Sequence, residues 1–133
     1  MQNNSFEIYN ETKWPHDVWP FLAIKNKILG AKFQISLNIL CGKNSQKINI
    51  AQRNKDYIPN TLSFKYTKKS GEIILTPEII KKECTSFDHT FDEHALFLYI
   101  HSLLHIKGFL HGKKMEQAEN KFFKLFNKKS RKA

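Results

Sequence analysis

The chain has 133 residues, 41% of them hydrophobic with 11 Phe in that set, and carries a formal charge of +10 with a pI near 9.6. That length and apolar content suit one domain with a real core; no run of about 18 apolar residues offers a membrane span, residues 1–12 lack the basic and apolar regions of a secretory signal, and a cytoplasmic protein is expected. The charge points towards a polyanionic partner, nucleic acid first, because Lys and Arg that neutralise phosphates release condensed counterions.

Residues 6–12 have a strand-like pattern. Residues 20–32 place Phe21, Leu22, Ile24, Ile28 and Leu29 at helical intervals, with Pro20 suited to the first turn and Gly30 near the end. Residues 33–40 alternate Phe33, Ile35, Leu37 and Ile39 with Gln34, Ser36 and Asn38, the pattern of a half-exposed strand. Asn44 or Ser45 is positioned to cap a helix running to about residue 54, and Pro59 breaks the chain before a strand over residues 61–66. A turn over 67–71 leads into an antiparallel strand at 72–76, and Pro77 opens a helix towards Cys84. Cys41 and Cys84 have neither thiolate-zinc spacing nor a disulfide framework around them, so both are expected reduced.

Thr90 followed by Glu93 has the form of a capping box and starts a long apolar helix at about Phe91. Residues 115–126 form a last amphipathic helix with Ala118, Phe122, Phe123 and Phe126 inward. From residue 112 onward eight basic residues face only Glu116 and Glu119, so more than half of the net charge lies here. The end from about residue 127 reads as a basic, flexible tail that favours solubility. The sum is an α+β fold in a single domain over residues 1–133, a mixed sheet of about four strands packed by helices, with the long apolar helix against the sheet.

The chemistry concentrates in residues 101–111, HSLLHIKGFLH. On a helix His101 and His105 stand one turn apart, about 6 Å along the axis, and project from one face. Gly108 allows the left-handed turn that ends the helix, and His111 is carried round as a third ligand. Three imidazoles leave one tetrahedral position open, as in catalytic zinc sites, where a bound water loses a proton near neutral pH. His16, His89 and His94 have no such partners in the sequence and receive no metal role. In an apolar helix, unpaired imidazoles would be costly, and a metal would satisfy them; a buried polar network is the plainer alternative.

The spacing His-x3-His-x5-His also occurs in metzincin proteases, which carry a Glu general base after the first His. Here that position is Ser102, whose hydroxyl has no useful basicity near pH 7. RNA is an easier target, because its own 2′-hydroxyl can act as nucleophile; such a site also needs a cation for the phosphate.

Four blocks in order, RNKDYIPNTLSF at 53–64, GEIILTPE at 71–78, HTFDE at 89–93 and the histidine stretch, resemble the YbeY family of bacterial metal-dependent endoribonucleases and rRNA maturation factors. The resemblance spans about residues 48–119. It implies that His101, His105 and His111 hold one Zn2+ ion and that Arg53, whose guanidinium fork suits paired phosphate oxygens, acts at the scissile phosphate. The implied function is zinc-dependent, single-strand-specific endoribonuclease in 16S rRNA 3′-end maturation and ribosome quality control, with rRNA as partner and possible contacts to a ribosomal protein or ribosome-associated GTPase. Against the family pattern, Ser102 replaces Gly, Phe109 replaces Tyr, Leu110 replaces the Asp before the third His, and the Pro after Lys55 and Asp56 is shifted to Pro59. Two other readings stay open: a non-catalytic ribosome-assembly factor with a structural metal, and a small metalloprotease.

Overall fold

A computed structural model describes residues 5–130, with side chains to residue 127. Its elements are β1 (Phe6–Asn10), α1 (Phe21–Leu29), β2 (Gln34–Ile39), α2 (Gly42–Arg53), β3 (Thr61–Thr67), β4 (Ser70–Leu75), α3 (Pro77–Glu83), α4 (Phe91–Lys107) and α5 (Lys113–Ser130), with short 3-10 turns at His16–Val18 and Cys84–Phe87.

The alternation in β2 sends Ile35, Leu37 and Ile39 into the core and Gln34, Ser36 and Asn38 to the opposite face. β1 and β4 pair with β2 in parallel, β3 pairs with β4 antiparallel, and the order is β1-β2-β4-β3. The expected α+β domain with a four-stranded mixed sheet is therefore present. Helices α1, α4 and α5 share the larger core with Ile35, Leu37, Ile39, Ile73 and Leu75. Ile48 of α2 packs on a smaller cluster of Leu40, Leu62 and Ile74 on the other face. β3 is left as an edge strand beside α4.

Each element boundary has a local cause. β1 stops at Asn10, two residues short of the expected end, because the Asn10 Oδ1 accepts from the Thr12 amide (2.8 Å) and its Nδ2 donates to the Trp14 carbonyl (2.8 Å), an Asx turn. α1 ends at Leu29, where Gly30 takes φ 97°, earlier than the run to residue 32. The buried Lys25 ammonium closes this turn by donating to the carbonyls of Gly30, Ala31 and Phe33 at 2.8–3.3 Å. Burial lowers the Lys25 pKa from its ordinary value.

Neither Asn44 nor Ser45 caps α2. Its N-cap is Cys41, which makes no side-chain capping bond. The free amides at this end are met by carboxylates from elsewhere in the fold: Cys41 N–H donates to Glu11 (2.8 Å) and Gly42 N–H to Glu78 (3.2 Å). Ser45 is buried instead, accepting from the Thr76 hydroxyl at 2.8 Å. Both cysteines are free, Cys41 exposed and Cys84 buried.

The Thr90–Glu93 capping box forms in full and starts α4 at Phe91. Trp14 and Trp19 donate their indole N–H groups to the Asp92 carboxylate and carbonyl, and Tyr99 donates to the Phe21 carbonyl from inside the core. α4 lies across β3 and β4. Gly71 permits this: a Cβ there would stand 2.7 Å from the Phe64 carbonyl oxygen and 3.3 Å from Ile106, the neighbour of His105. α5 begins two residues earlier than expected and stays helical through Ser130, so residues 127–130 belong to the helix; the rest of the expected tail, 131–133, lies outside the described residues.

Candidate metal centre

The end of α4 is a Schellman turn. Phe109 N–H donates to the Leu104 carbonyl (3.0 Å), Gly108 N–H to the His105 carbonyl (3.0 Å), and Gly108 takes φ 115°. That turn ends the helix and brings His111 back to the face that carries His101 and His105. The three rings then touch pairwise, with centroids 4.5 Å apart for His101 and His105, 4.7 Å for His105 and His111, and 5.7 Å for His101 and His111.

Each of the first two rings is held through one nitrogen so that the other faces the cluster. His101 Nδ1 bonds to the carboxylate of Glu119, a residue of α5 that is only 7% exposed. His105 Nδ1 bonds to the Phe109 carbonyl at 3.3 Å, so the Schellman turn also orients a ring. Their Nε2 atoms meet at 3.1 Å. A carboxylate or carbonyl behind the imidazole sets its tautomer and raises its basicity towards a metal. Burial first, then the charges of His101 and His111, lowers the His105 pKa and favours the neutral, ligating form.

Among the described residues no group of three His, Cys, Asp or Glu side chains is placed to hold a metal ion as the rings stand, and the Nε2 atoms of His101 and His105 are bonded to each other. The spacing nevertheless fits one ion. Imidazoles bound at 2.0–2.1 Å with tetrahedral angles have nitrogens about 3.3 Å apart and ring centroids about 5 Å apart. The observed nitrogen separation of 3.1 Å is just under the first value, and the centroid separations of 4.5, 4.7 and 5.7 Å lie on either side of the second. The set is three imidazoles, suited to zinc, nickel, cobalt or copper.

Arg53, the last residue of α2, opens onto the same place. A cleft of about 290 Å³ is lined by Arg53, His101 and His105, with residues 60–63 of β3 and its approach on one wall and Leu98 and Ser102 of α4 on the other. Arg53 Nη1 donates to Asn49 (3.1 Å) and to the Tyr57 hydroxyl (3.2 Å), and no carboxylate pairs with it among the described residues. The bond from Arg53 lowers the Tyr57 pKa. The nearby Asp56 carboxylate accepts from the Gln46 side-chain amide at 3.0 Å. Lys55 does not line the cleft.

Ser102 is buried and bonds the Thr61 hydroxyl at 2.8 Å; since Thr61 donates to the Ile74 carbonyl, Ser102 is the donor of that pair. It ties α4 to β3, and a hydroxyl that spends its proton on Thr61 still lacks the basicity of a carboxylate near pH 7. The remaining histidines have other partners. His16 bonds Asn10, and the fully buried His94 lies between Glu83 (2.7 Å) and His89 (3.0 Å). Glu119 escaped the sequence reading although a signal was present: it sits on the inward stripe of Met115, Ala118, Phe122 and Phe126, where a carboxylate needs a partner.

A sequence model described as Endoribonuclease YbeY matches residues 1–129. Proteins of that name resemble the chain: one from Francisella philomiragia subsp. philomiragia is 28% identical over 110 residues, covering 74% of this chain and 70% of that protein. One from Malacoplasma penetrans is 33% identical over 100 residues (70% and 63%), and one from Francisella tularensis subsp. tularensis 30% over 127 residues (84% and 78%). The chain thus spans 63–78% of the length of these relatives. The solution structure of TM1509 from Thermotoga maritima superposes with a TM-score of 0.67 at 23% identity, over 90% of this chain and 87% of that one, and shares the fold.

Proposed function

The chain belongs to the endoribonuclease YbeY family, and from that premise we propose that it is a metal-dependent hydrolase that cleaves single-stranded RNA in the cleft between β3 and α4. The observation that carries this reading is the shared cleft: Arg53 reaches it from α2, and His101 and His105 reach it from α4.

His101, His105 and His111 are the residues that would hold the ion, zinc by the resemblance. When bound, such an ion supplies Lewis acidity and a water that ionises near neutral pH. The protein's own groups do the rest. Glu119 and the Phe109 carbonyl hold the two helix imidazoles with Nε2 towards the cleft. Arg53 presents a planar fork to a phosphodiester, neutralising it and holding it beside the histidines. Asn49 and Tyr57 restrict that guanidinium beforehand, so less rotamer entropy is lost on binding. The charge of +10 favours a polyanion over any neutral substrate.

The resemblance extends the proposal to 16S rRNA 3′-end maturation and ribosome quality control in the cytoplasm, with a ribosomal protein or ribosome-associated GTPase as further partner. Among the described residues no helix is long and apolar enough to cross a membrane. An assembly factor with a structural metal is disfavoured, since structural zinc sites are closed by four protein ligands, whereas His101 and His105 line an open cleft. A protease lacks its general base, and Ser102 is committed to Thr61.

The test combines metal analysis with cleavage of labelled single- and double-stranded RNA. Wild type is expected to bind one ion and cut the single strand; His105→Ala loses both ion and cutting, and Arg53→Ala keeps the ion and cuts more slowly. Cleavage by a folded, metal-free preparation would overturn the reading, and unfolding on chelation without any cleavage by the loaded protein would favour the assembly factor.

A further inference from the structure

Two cavities flank the three histidines. The first is the Arg53 cleft, which His101 and His105 line; the second, about 530 Å³, opens on the His111 side between the end of α4 and the start of α5. Its walls carry Phe109, Leu110, Lys107, Lys113 and Lys114.

Two features of this second cavity are each unfavourable when nothing is bound. Leu110 is 83% exposed, the most open large apolar side chain in the described structure. Lys113 and Lys114 occupy the first turn of α5, where the helix dipole repels cations and only Glu116 opposes them. His111 lines the cavity, and its ring centroid stands 4.7 Å from that of His105, which lines the Arg53 cleft. Local rules broken together beside a reactive centre point to a ligand that satisfies them together. An apolar surface flanked by cations suits an unpaired nucleotide, the base lying on Leu110 and Phe109 and its phosphate near Lys113 and Lys114. Lys107 is tethered to the Ile28 carbonyl at 2.9 Å and adds charge from below.

We infer that the cavity between α4 and α5 is a nucleotide subsite next to the scissile phosphate, so that a single strand crosses the histidines from Arg53 to Lys113 and Lys114. This rests on the nuclease reading above. It also supplies a basis for single-strand preference: a base can lie on Leu110 only when it is unstacked, which a duplex does not permit.

The test is fluorescence anisotropy with a short 2′-O-methylated single-stranded oligoribonucleotide and with the same strand carrying abasic sites, using metal-loaded protein. Leu110→Ser is expected to weaken binding of the intact strand by about fivefold and to leave the abasic strand unchanged. The double variant Lys113→Ala, Lys114→Ala should lower the slope of log affinity against log salt by about 1.4, two phosphate contacts at about 0.7 each. Unchanged metal content and melting temperature control for folding, which the exposure of all three side chains favours. If wild type binds and cleaves while both variants bind as it does, the subsite is wrong and the nuclease reading stands. If loaded wild type neither binds nor cleaves single-stranded RNA, the nuclease reading fails and the subsite falls with it.

Discussion

Replacing Glu119 by Gln keeps an oxygen near His101 Nδ1 but removes the charge behind the ring. An ion held at His101 Nε2 would sit across the imidazole from the Glu119 carboxylate, roughly 6 Å from its charge. A unit charge and a divalent ion at that distance interact by roughly 1.4 kcal/mol at the dielectric constant of water and about 5.5 kcal/mol at an effective value near 20. Glu119 is almost buried but lies beside an open cleft, so the lower half of that interval applies. It corresponds to roughly ten- to three-hundredfold in affinity, overlapping the roughly ten- to one-hundredfold usual on losing a group behind a metal ligand. Competition with a chromophoric chelator measures this directly, with circular dichroism to confirm the fold and Glu119→Asp as a partial rescue. A folded Glu119→Gln protein that binds the metal within twofold of wild type would refute the role given to Glu119, and with it the orientation of His101.

Gly71→Ala should destabilise the fold by about 1–3 kcal/mol in urea unfolding, since the new methyl meets the Phe64 carbonyl at 2.7 Å and backbone must shift; an unchanged midpoint would show that α4 has room to spare. Ser102→Ala should cost about 1 kcal/mol, one neutral hydrogen bond between α4 and β3, and leave cleavage intact; loss of cleavage at full stability would instead make Ser102 part of the chemistry. Glu11 has its pKa lowered chiefly by the Cys41 amide and then by Asn44, so its contribution is present above the ordinary carboxylate value of 4.5 and is lost as pH falls through the lower folded value. Glu11→Gln should therefore reduce stability at pH 6 more than at pH 3, and an equal loss at both would contradict the capping of α2 by Glu11.

Patterns with short range could be read from the chain. The alternation from Phe33 to Ile39, the capping box at Thr90 and Glu93, the glycine after His105 and the spacing of the three histidines each encode a strand, a helix start, a Schellman turn and a cluster through contacts a few residues apart. Those contacts form whatever the rest of the chain does, because dihedral preferences and neighbouring hydrogen bonds act within one or two turns. The ends of β1 and α1 were less legible, since Asn10 and Lys25 close turns with their side chains and override the hydrophobic period.

What folding alone decided involves partners far apart in sequence. Glu11 and Glu78 cap α2 where Asn44 or Ser45 could have done so, Glu119 orients His101 from 18 residues away, and Arg53 meets the histidines across β3. The strand order β1-β2-β4-β3 belongs with these, since each strand's pattern of buried residues fits several neighbours equally well. A periodic pattern tells which face of an element is buried but not against what; the partner is selected when the whole core packs, and only then do the Glu119 carboxylate and the Arg53 guanidinium take up their positions beside the three imidazoles.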